Sequence, residues 1–508
     1  MTAKGKGPGV AVVRGMSRDQ KIAIVGGGLA GLSTACYARM QGFETTVLEH
    51  NLSLGGVCTA WQRGPYTIDG CIHWLTEGPF LQVYRELGII PPVRTEPIDC
   101  FVAYQDLESG FALDVTRDLD GLVARATQLS PADGAEIAAL VQAAREFSNV
   151  DAGIDRPPEL ASLPERVRAL WNMRHFAGSL VRFRKPMATW VADHLEDPRL
   201  GQLFLRMLPP EAPAILLLMI LGYLERGWLT LPVGGTAAFR DALIDRHREL
   251  GGEVRLHTTV EEILVEANRA YGVRLTDGTI VEADMVVSTA SAPETVLRLL
   301  AGRYGAKELR RRLERWKMFE PIALLTYGVA QPYPGSAATR LVDGIETLRV
   351  GGADNEHLYL RVYDAESGFA PQGHSVVQVM LQTQYDWWAT RGADYEQEKD
   401  KLALLVLERL ERIFPGIRDS VRMVDLATPL TFWRSARSWR GAYEGWLPTP
   451  EAVFHHLPKT LPELESFFMA GQWLEPGGGV PTALLSGRQL VQILCARTGK
   501  EFSTVAEL

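Results

Sequence analysis

Three glycines near the start of the chain, Gly26, Gly28 and Gly31, stand at the G-x-G-x-x-G spacing, and an acid, Glu49, follows them. In that spacing the first glycine allows a tight turn. The second lets backbone amides approach a pyrophosphate, and the third lets a helix pack closely on a strand. Leu29 and Ala30 open the helix, so its N–H groups and positive dipole end face a bound phosphate. Glu49 lies about 20 residues on, where a carboxylate accepts hydrogen bonds from ribose hydroxyls. The chemistry these residues suit is dinucleotide binding. The bland alternative is a glycine-rich turn without a ligand, and the flanking pattern argues against it. Residues 22–25 are a short apolar run of the kind that forms a buried parallel strand. Residues 29–41 read as a helix closed by Gly42, and residues 45–48 as a second strand ending at Glu49.

A second glycine-rich turn stands at the other end of the chain. Residues 467–471 read as a short strand ending in Gly471, and Gly477-Gly478-Gly479-Val480-Pro481 opens a helix expected over residues 482–496. Pro481 suits a helix's first turn. Between the two, Gly55-Gly56 permits a further close backbone approach to phosphate. Residues 66–71 then alternate as a strand that ends near His73 and Trp74.

Taken in order, the first glycine motif, Gly55-Gly56, and the strand Tyr66-x-x-Asp69-Gly70-x-x-His73 resemble the FAD-dependent phytoene desaturase–like oxidoreductases, a family that includes carotenoid desaturases, carotene isomerases and retinol saturases. The C-terminal turn is similar to that family's flavin motif. The resemblance implies non-covalent FAD, held by Gly26, Gly28, Leu29, Ala30, Gly31, Glu49, Gly55, Gly56, Val260, Gly471, Gly478, Gly479 and Val480. It places the backbone of Val260 against the adenine and Gly471 near the pyrophosphate. The free N–H groups of the last turn would face the flavin edge that gains negative charge on reduction. One departure stands out. Many relatives carry Arg after the Gly-Gly pair, where this chain has Val57; Arg63 is a substitute by proximity only. Segments 426–432 and 440–446 also resemble ones near the flavin and substrate channel.

The implied architecture is α/β: a split Rossmann-like FAD-binding domain interleaved with an α+β substrate domain that has a mixed sheet and a helical cap. Residues 1–20 are expected to be a flexible tail. Residues 21–80, 227–300 and 465–508 are expected to form the FAD-binding domain. Residues 81–226 and 301–464 are expected to form the substrate domain, with its helical part at 115–226. Residues 347–350 are expected to join residues 324–329, 358–362 and 376–381 in a larger sheet.

Composition narrows the partners. The 508 residues suffice for about two or three domains. A net charge of −8 gives no support for a nucleic-acid surface. Cys36, Cys58, Cys71, Cys100 and Cys495 are few and not in metal-type pairs, so reduced thiols in a cytosolic protein, and no metal, are expected. The longest apolar run, residues 212–224, is broken by Pro213 and Gly222 and is too short to span a bilayer. Segment 163–185 is basic and aromatic (Arg166, Arg168, Trp171, Arg174, Arg182, Lys185). It reads either as a solvated basic face, the commoner arrangement, or as a peripheral membrane contact that admits a lipid substrate.

Few ionisable residues are needed, because the flavin N5 takes or gives the hydride and the protein places an apolar C–H or C=C against it. His73 is the candidate acid/base, with a core histidine as its alternative. Asp69 is a candidate partner, or a backbone holder. Trp74, Trp433 and Trp446 are candidates to line a hydrophobic substrate's pocket. Three functions stay open. The first is desaturation, saturation or isomerisation of an isoprenoid or polyene-like molecule. The second is an amine oxidase–like or secondary-metabolite tailoring flavoenzyme. The third is a prenyl-group escort protein without redox chemistry. The intact Glu49 and last glycine turn favour the enzymes.

Overall fold

The apolar run after Lys21 is buried because it lies inside a parallel sheet. In the computed structural model, which describes residues 20–150, 156–335 and 339–504, the strand Lys21–Val25 has Glu44–Leu48 on one side and Met285–Ser288 on the other. Glu253–Arg255 and Phe467–Met469 complete this five-stranded parallel sheet at its edges. Its strands come from distant parts of the chain, so the sheet cannot form before most of the chain has been gathered. The tail expected at residues 1–20 lies outside the described residues except for Gln20. That residue is buried, and its carbonyl accepts the Glu44 amide, so the ordered chain starts before Lys21.

The helix Leu29–Met40 follows the first strand, and Gly42 with positive φ turns the chain away after it. The last helix, Gly479–Thr498, packs along the first. The close approach depends on Gly487: a Cβ there would lie 2.7 Å from the Thr34 amide nitrogen and 2.8 Å from Ser33 Oγ. Ser33 Oγ donates to the Leu484 carbonyl at 2.7 Å across the same contact.

A seven-stranded mixed sheet stands opposite. Its order runs Val421–Ala427, Ile322–Val329, Ser375–Gln382, Leu358–Tyr363, Thr339–Asp343, Cys100–Asp106, Ala112–Thr116. Every neighbour is antiparallel except Thr339–Asp343 with Cys100–Asp106. Two expectations need correction here. The sequence pattern from residue 81 to residue 226 reads as helical, yet residues 100–116 form a hairpin at the sheet's edge, with Leu113 and Val115 buried at the period of a strand. Leu348–Val350 does not join the larger sheet. It pairs only with Ala353–Asn355, because Gly351 and Gly352, both at positive φ, turn the chain straight back.

A helical layer covers one side. Ile215–Glu225 is apolar on every face and buried at its centre. Gly222 lets the Ala144 carbonyl approach; a Cβ would sit 2.4 Å from that oxygen. Among the described residues no helix is long and apolar enough to cross a membrane. On the outer side, the helix Leu163–Asn172 leaves Leu163, Val167 and Trp171 exposed at 75%, 57% and 64%, spaced to share one face.

Candidate functional site

A cavity of 610 Å³ opens at the carboxyl ends of the parallel strands, where Val25, Leu48, Glu49, Thr289 and Gly471 line it. This is where open α/β sheets bind ligands. Gly26, Gly28, Leu29, Ala30, Glu49, Gly55, Gly56, Val260, Gly471, Gly478, Gly479 and Val480 all line it, together with His73 and Trp74. Residues from three distant stretches thus share one wall.

The donors present suit a pyrophosphate-linked dinucleotide. The first and last helices both begin at the cavity. The N-caps, Gly28 and Gly478, supply no side-chain acceptor, and neither first turn carries an acid. The leading N–H groups of the first helix are therefore available to an anion, while in the last helix the Gly479 amide is taken by Gln472 Oε1 and the next amide, that of Val480, is the one left to a ligand. Gly28 bridges to Gly55, and a Cβ on Gly56 would lie 3.2 Å from the Gly28 Cα, so the two glycine segments touch through bare backbone. Gly471 holds φ at +123°, outside the range of L side chains. Glu49 is buried; Oε2 accepts from the Gly27 amide at 2.6 Å and Oε1 from the Asn51 amide at 2.8 Å. Burial raises its carboxyl above the ordinary range, and these amides work against that shift. Each oxygen keeps a further lone pair for a ribose hydroxyl. The set fits FAD: backbone amides for phosphates, Glu49 for the ribose, and the Gly478–Gly479 turn for the flavin edge.

Other expected residues have different roles. Gly31 does not reach the cavity. It supports it, because a Cβ there would lie 2.0 Å from the Gly26 carbonyl oxygen. Asp69 is not available for catalysis. Its carboxylate accepts from the Thr236 amide at 2.8 Å, from the Thr236 hydroxyl and from the Cys71 amide. It ties the strand Tyr66–Asp69 to the helix Gly235–Glu249. Trp446 is fully buried behind the wall, donating its indole N–H to the Trp473 carbonyl at 2.9 Å. Trp433 lies under the Arg437 guanidinium at 4.4 Å, while its helix turns Phe432 to the cavity instead. Arg63 is half exposed and pairs with Asp425 at 2.6 Å, so it does not replace the arginine absent at Val57. The side chain beside Gly55 is that of Arg240, which donates to Thr59 Oγ1 at 3.3 Å.

Trp74 lines the cavity and packs edge-on against Phe101, with ring centroids 5.2 Å apart. His73 lines it too. Its ring stacks on Tyr359, and Arg361 donates to its carbonyl at 2.6 Å. Burial, with the Arg361 charge, pushes its imidazole down to about 3, so the ring is neutral at physiological pH.

The cavity also holds groups that sequence reading did not single out as site residues. Gln472 Oε1 accepts from the Gly479 amide at 3.1 Å and so shapes the last turn. Glu444 lines the cavity near that turn; its Oε1 lies 4.0 Å from where a Gly479 Cβ would stand. Burial pushes its carboxyl from 4.5 up to about 8. A carboxyl raised in the folded state binds its proton more tightly there than in the unfolded chain, so its contribution to stability falls as pH rises from 4.5 to about 8. The melting temperature of Glu444→Gln, measured against wild type across that window, should therefore fall less steeply with pH. Parallel curves would contradict the raised carboxyl.

Comparison with known proteins agrees with this geometry. A model of the family described as "Flavin containing amine oxidoreductase" matches residues 29–495. The lycopene-forming phytoene desaturase of Pseudescherichia vulneris is 26% identical over 94% of this chain and 99% of its own length. The chloroplastic prolycopene isomerase of Arabidopsis thaliana is 23% identical over 97% of this chain and 86% of its own. Among solved structures, an oxidoreductase from Methanosarcina mazei is similar in fold, with a TM-score of 0.64 and 17% identity over 93% of this chain and 100% of its own. With most of its length matched, the chain belongs to the flavin-containing amine oxidoreductase family and is an FAD-dependent oxidoreductase.

Proposed function

We propose that this enzyme desaturates, saturates or isomerises a hydrophobic, isoprenoid or polyene-like molecule. FAD, when bound, supplies a hydride acceptor or donor at its N5. The observation that carries the reading is the composition of the cavity wall away from the glycines. Met207, Leu208, Leu216 and Ile220 from the helical region line it together with Leu324 and Phe432. Such a wall binds by burying apolar surface, worth about 25 cal/mol per Å². It also excludes water from a hydride step. Relatives named for carotenoid desaturation and isomerisation support the same substrate class.

The split arrangement follows from this reading. Residues 21–80, 227–300 and 465–508 would hold the cofactor as a Rossmann-like domain. Residues 81–226 and 301–464 would hold the substrate, with the helical part at 115–226 as a cap. The exposed Leu163, Val167 and Trp171, beside Arg166, Arg168 and Arg174, favour a peripheral lipid surface as the place where such a substrate is met.

Purified protein should show a flavin spectrum, and under anaerobic conditions a lipophilic polyene should bleach it while simple amines do not. Bleaching by amines alone would favour the amine oxidase reading, and a colourless protein that FAD cannot reconstitute would favour an escort. Sedimentation with anionic vesicles should carry the protein down and should be weakened in Trp171→Glu; a protein that stays in the supernatant at low salt would exclude the lipid contact.

A further inference from the structure

A carbon–carbon bond cannot be oxidised or reduced by hydride alone. A proton must leave, or reach, the neighbouring carbon. Most ionisable groups in or beside the cavity are engaged: among its lining residues Glu294 pairs with Arg298, and His50 Nδ1 lies 2.7 Å from Thr259 Oγ1. His73 is held neutral against Tyr359 beneath the Arg361 charge. Asp69 is engaged by Thr236 and the Cys71 amide. Glu49 has both oxygens on backbone amides at the ribose end. Burial pushes the Cys71 thiol and the Tyr359 and Tyr443 phenols up, away from the working range.

Glu444 differs from all of these. It lines the cavity at the turn Gly477–Gly479, which opens the last helix. Its carboxyl makes no hydrogen bond or ion pair with any described residue, and burial raises it with no cation offsetting that shift; its charge in turn bears on Cys71, Tyr359 and Tyr443. A carboxyl brought into an apolar cavity and left without a partner costs stability that a structural role would not require.

We propose that Glu444 is the group that carries the proton accompanying hydride transfer at the flavin. The inference rests on the carbon–carbon reading above. In the oxidising direction, a hydride leaves one substrate carbon for the flavin N5, and a proton leaves the adjacent carbon for the Glu444 carboxylate. The C–H electron pair left behind forms the second bond of C=C. The flavin gains two electrons and one proton, Glu444 gains the other proton, and the substrate loses two hydrogens. In the reducing direction the same carboxyl, protonated, supplies the proton. Burial holds it at about 8, close to a working pH, where a carboxyl can serve as either acid or base.

The test compares wild type, Glu444→Gln and Glu444→Asp as FAD-loaded proteins, each mixed anaerobically with an alkene panel. Infrared spectra of the same proteins, recorded without substrate near pH 7, report the carboxyl directly. Glu444→Gln should perturb the flavin spectrum with the same alkene affinity as wild type but bleach about 100-fold more slowly. Glu444→Asp should recover part of the rate. Wild type should show a protonated-carboxyl C=O band that disappears at high pH and is absent from Glu444→Gln. Bleaching of Glu444→Gln within about threefold of wild type, or no such band in wild type, overturns the proposal. If no alkene bleaches wild type, desaturation falls; the same comparison is then made with dithionite-reduced protein, whose reoxidation by the alkene Glu444→Gln should slow by about the same factor, and reoxidation of Glu444→Gln within about threefold of wild type overturns the proposal.

Discussion

The structure depends on bringing two helix N-termini to one cavity from opposite ends of the chain. The helices Leu29–Met40 and Gly479–Thr498 each begin there at a glycine N-cap that brings no side chain, and of their first amides Gln472 holds that of Gly479. Uncapped amides facing a cavity are costly unless an anion meets them. The glycines make the approach possible. Gly31 rides against the Gly26 carbonyl, Gly28 touches Gly56, and Gly487 seats the last helix against Thr34. A side chain at Gly487 would push the last helix off the first, and one at Gly31 or Gly56 would displace the first glycine turn. The parallel sheet imposes the same condition, because its edge strand Phe467–Met469 pairs with Met285–Ser288 and delivers Gly471 to the cavity.

Once the cofactor end is assembled from backbone, side chains are left to shape the substrate end. Most are apolar, and the polar ones are tied down: Asp69 to Thr236, His73 against Tyr359, Gln472 to the last turn. Glu444 is the exception, and an untied carboxyl in such surroundings is where proton chemistry is to be sought.

The cofactor end was legible in the sequence because its requirements are local. Glycine spacing, an acid after the second strand and a proline in a helix's first turn each express backbone geometry within a few residues. The substrate end was not legible in that way. Glu444 has an unusual carboxyl because burial desolvates it in a cavity lined from separate stretches of the chain, with the Gly479 turn beside it. Trp446 and Trp433 are tryptophans beside lining residues, and one step along the chain decided that Phe432 rather than Trp433 faces inward. His73 stands where the motif predicts, yet its protonation depends first on burial and then on the Arg361 charge, both set by residues distant in sequence. The hairpin at residues 100–116 was hidden among helical patterns because its partner strand, Thr339–Asp343, lies far along the chain.

On the proposed reading both glycine turns hold one FAD. Amide hydrogen exchange, compared between FAD-loaded and FAD-stripped protein, tests it most directly. Residues 28–31 and 478–480 should both lose protection on stripping and regain it together when FAD is restored. Loss confined to one of the two turns would contradict a shared site.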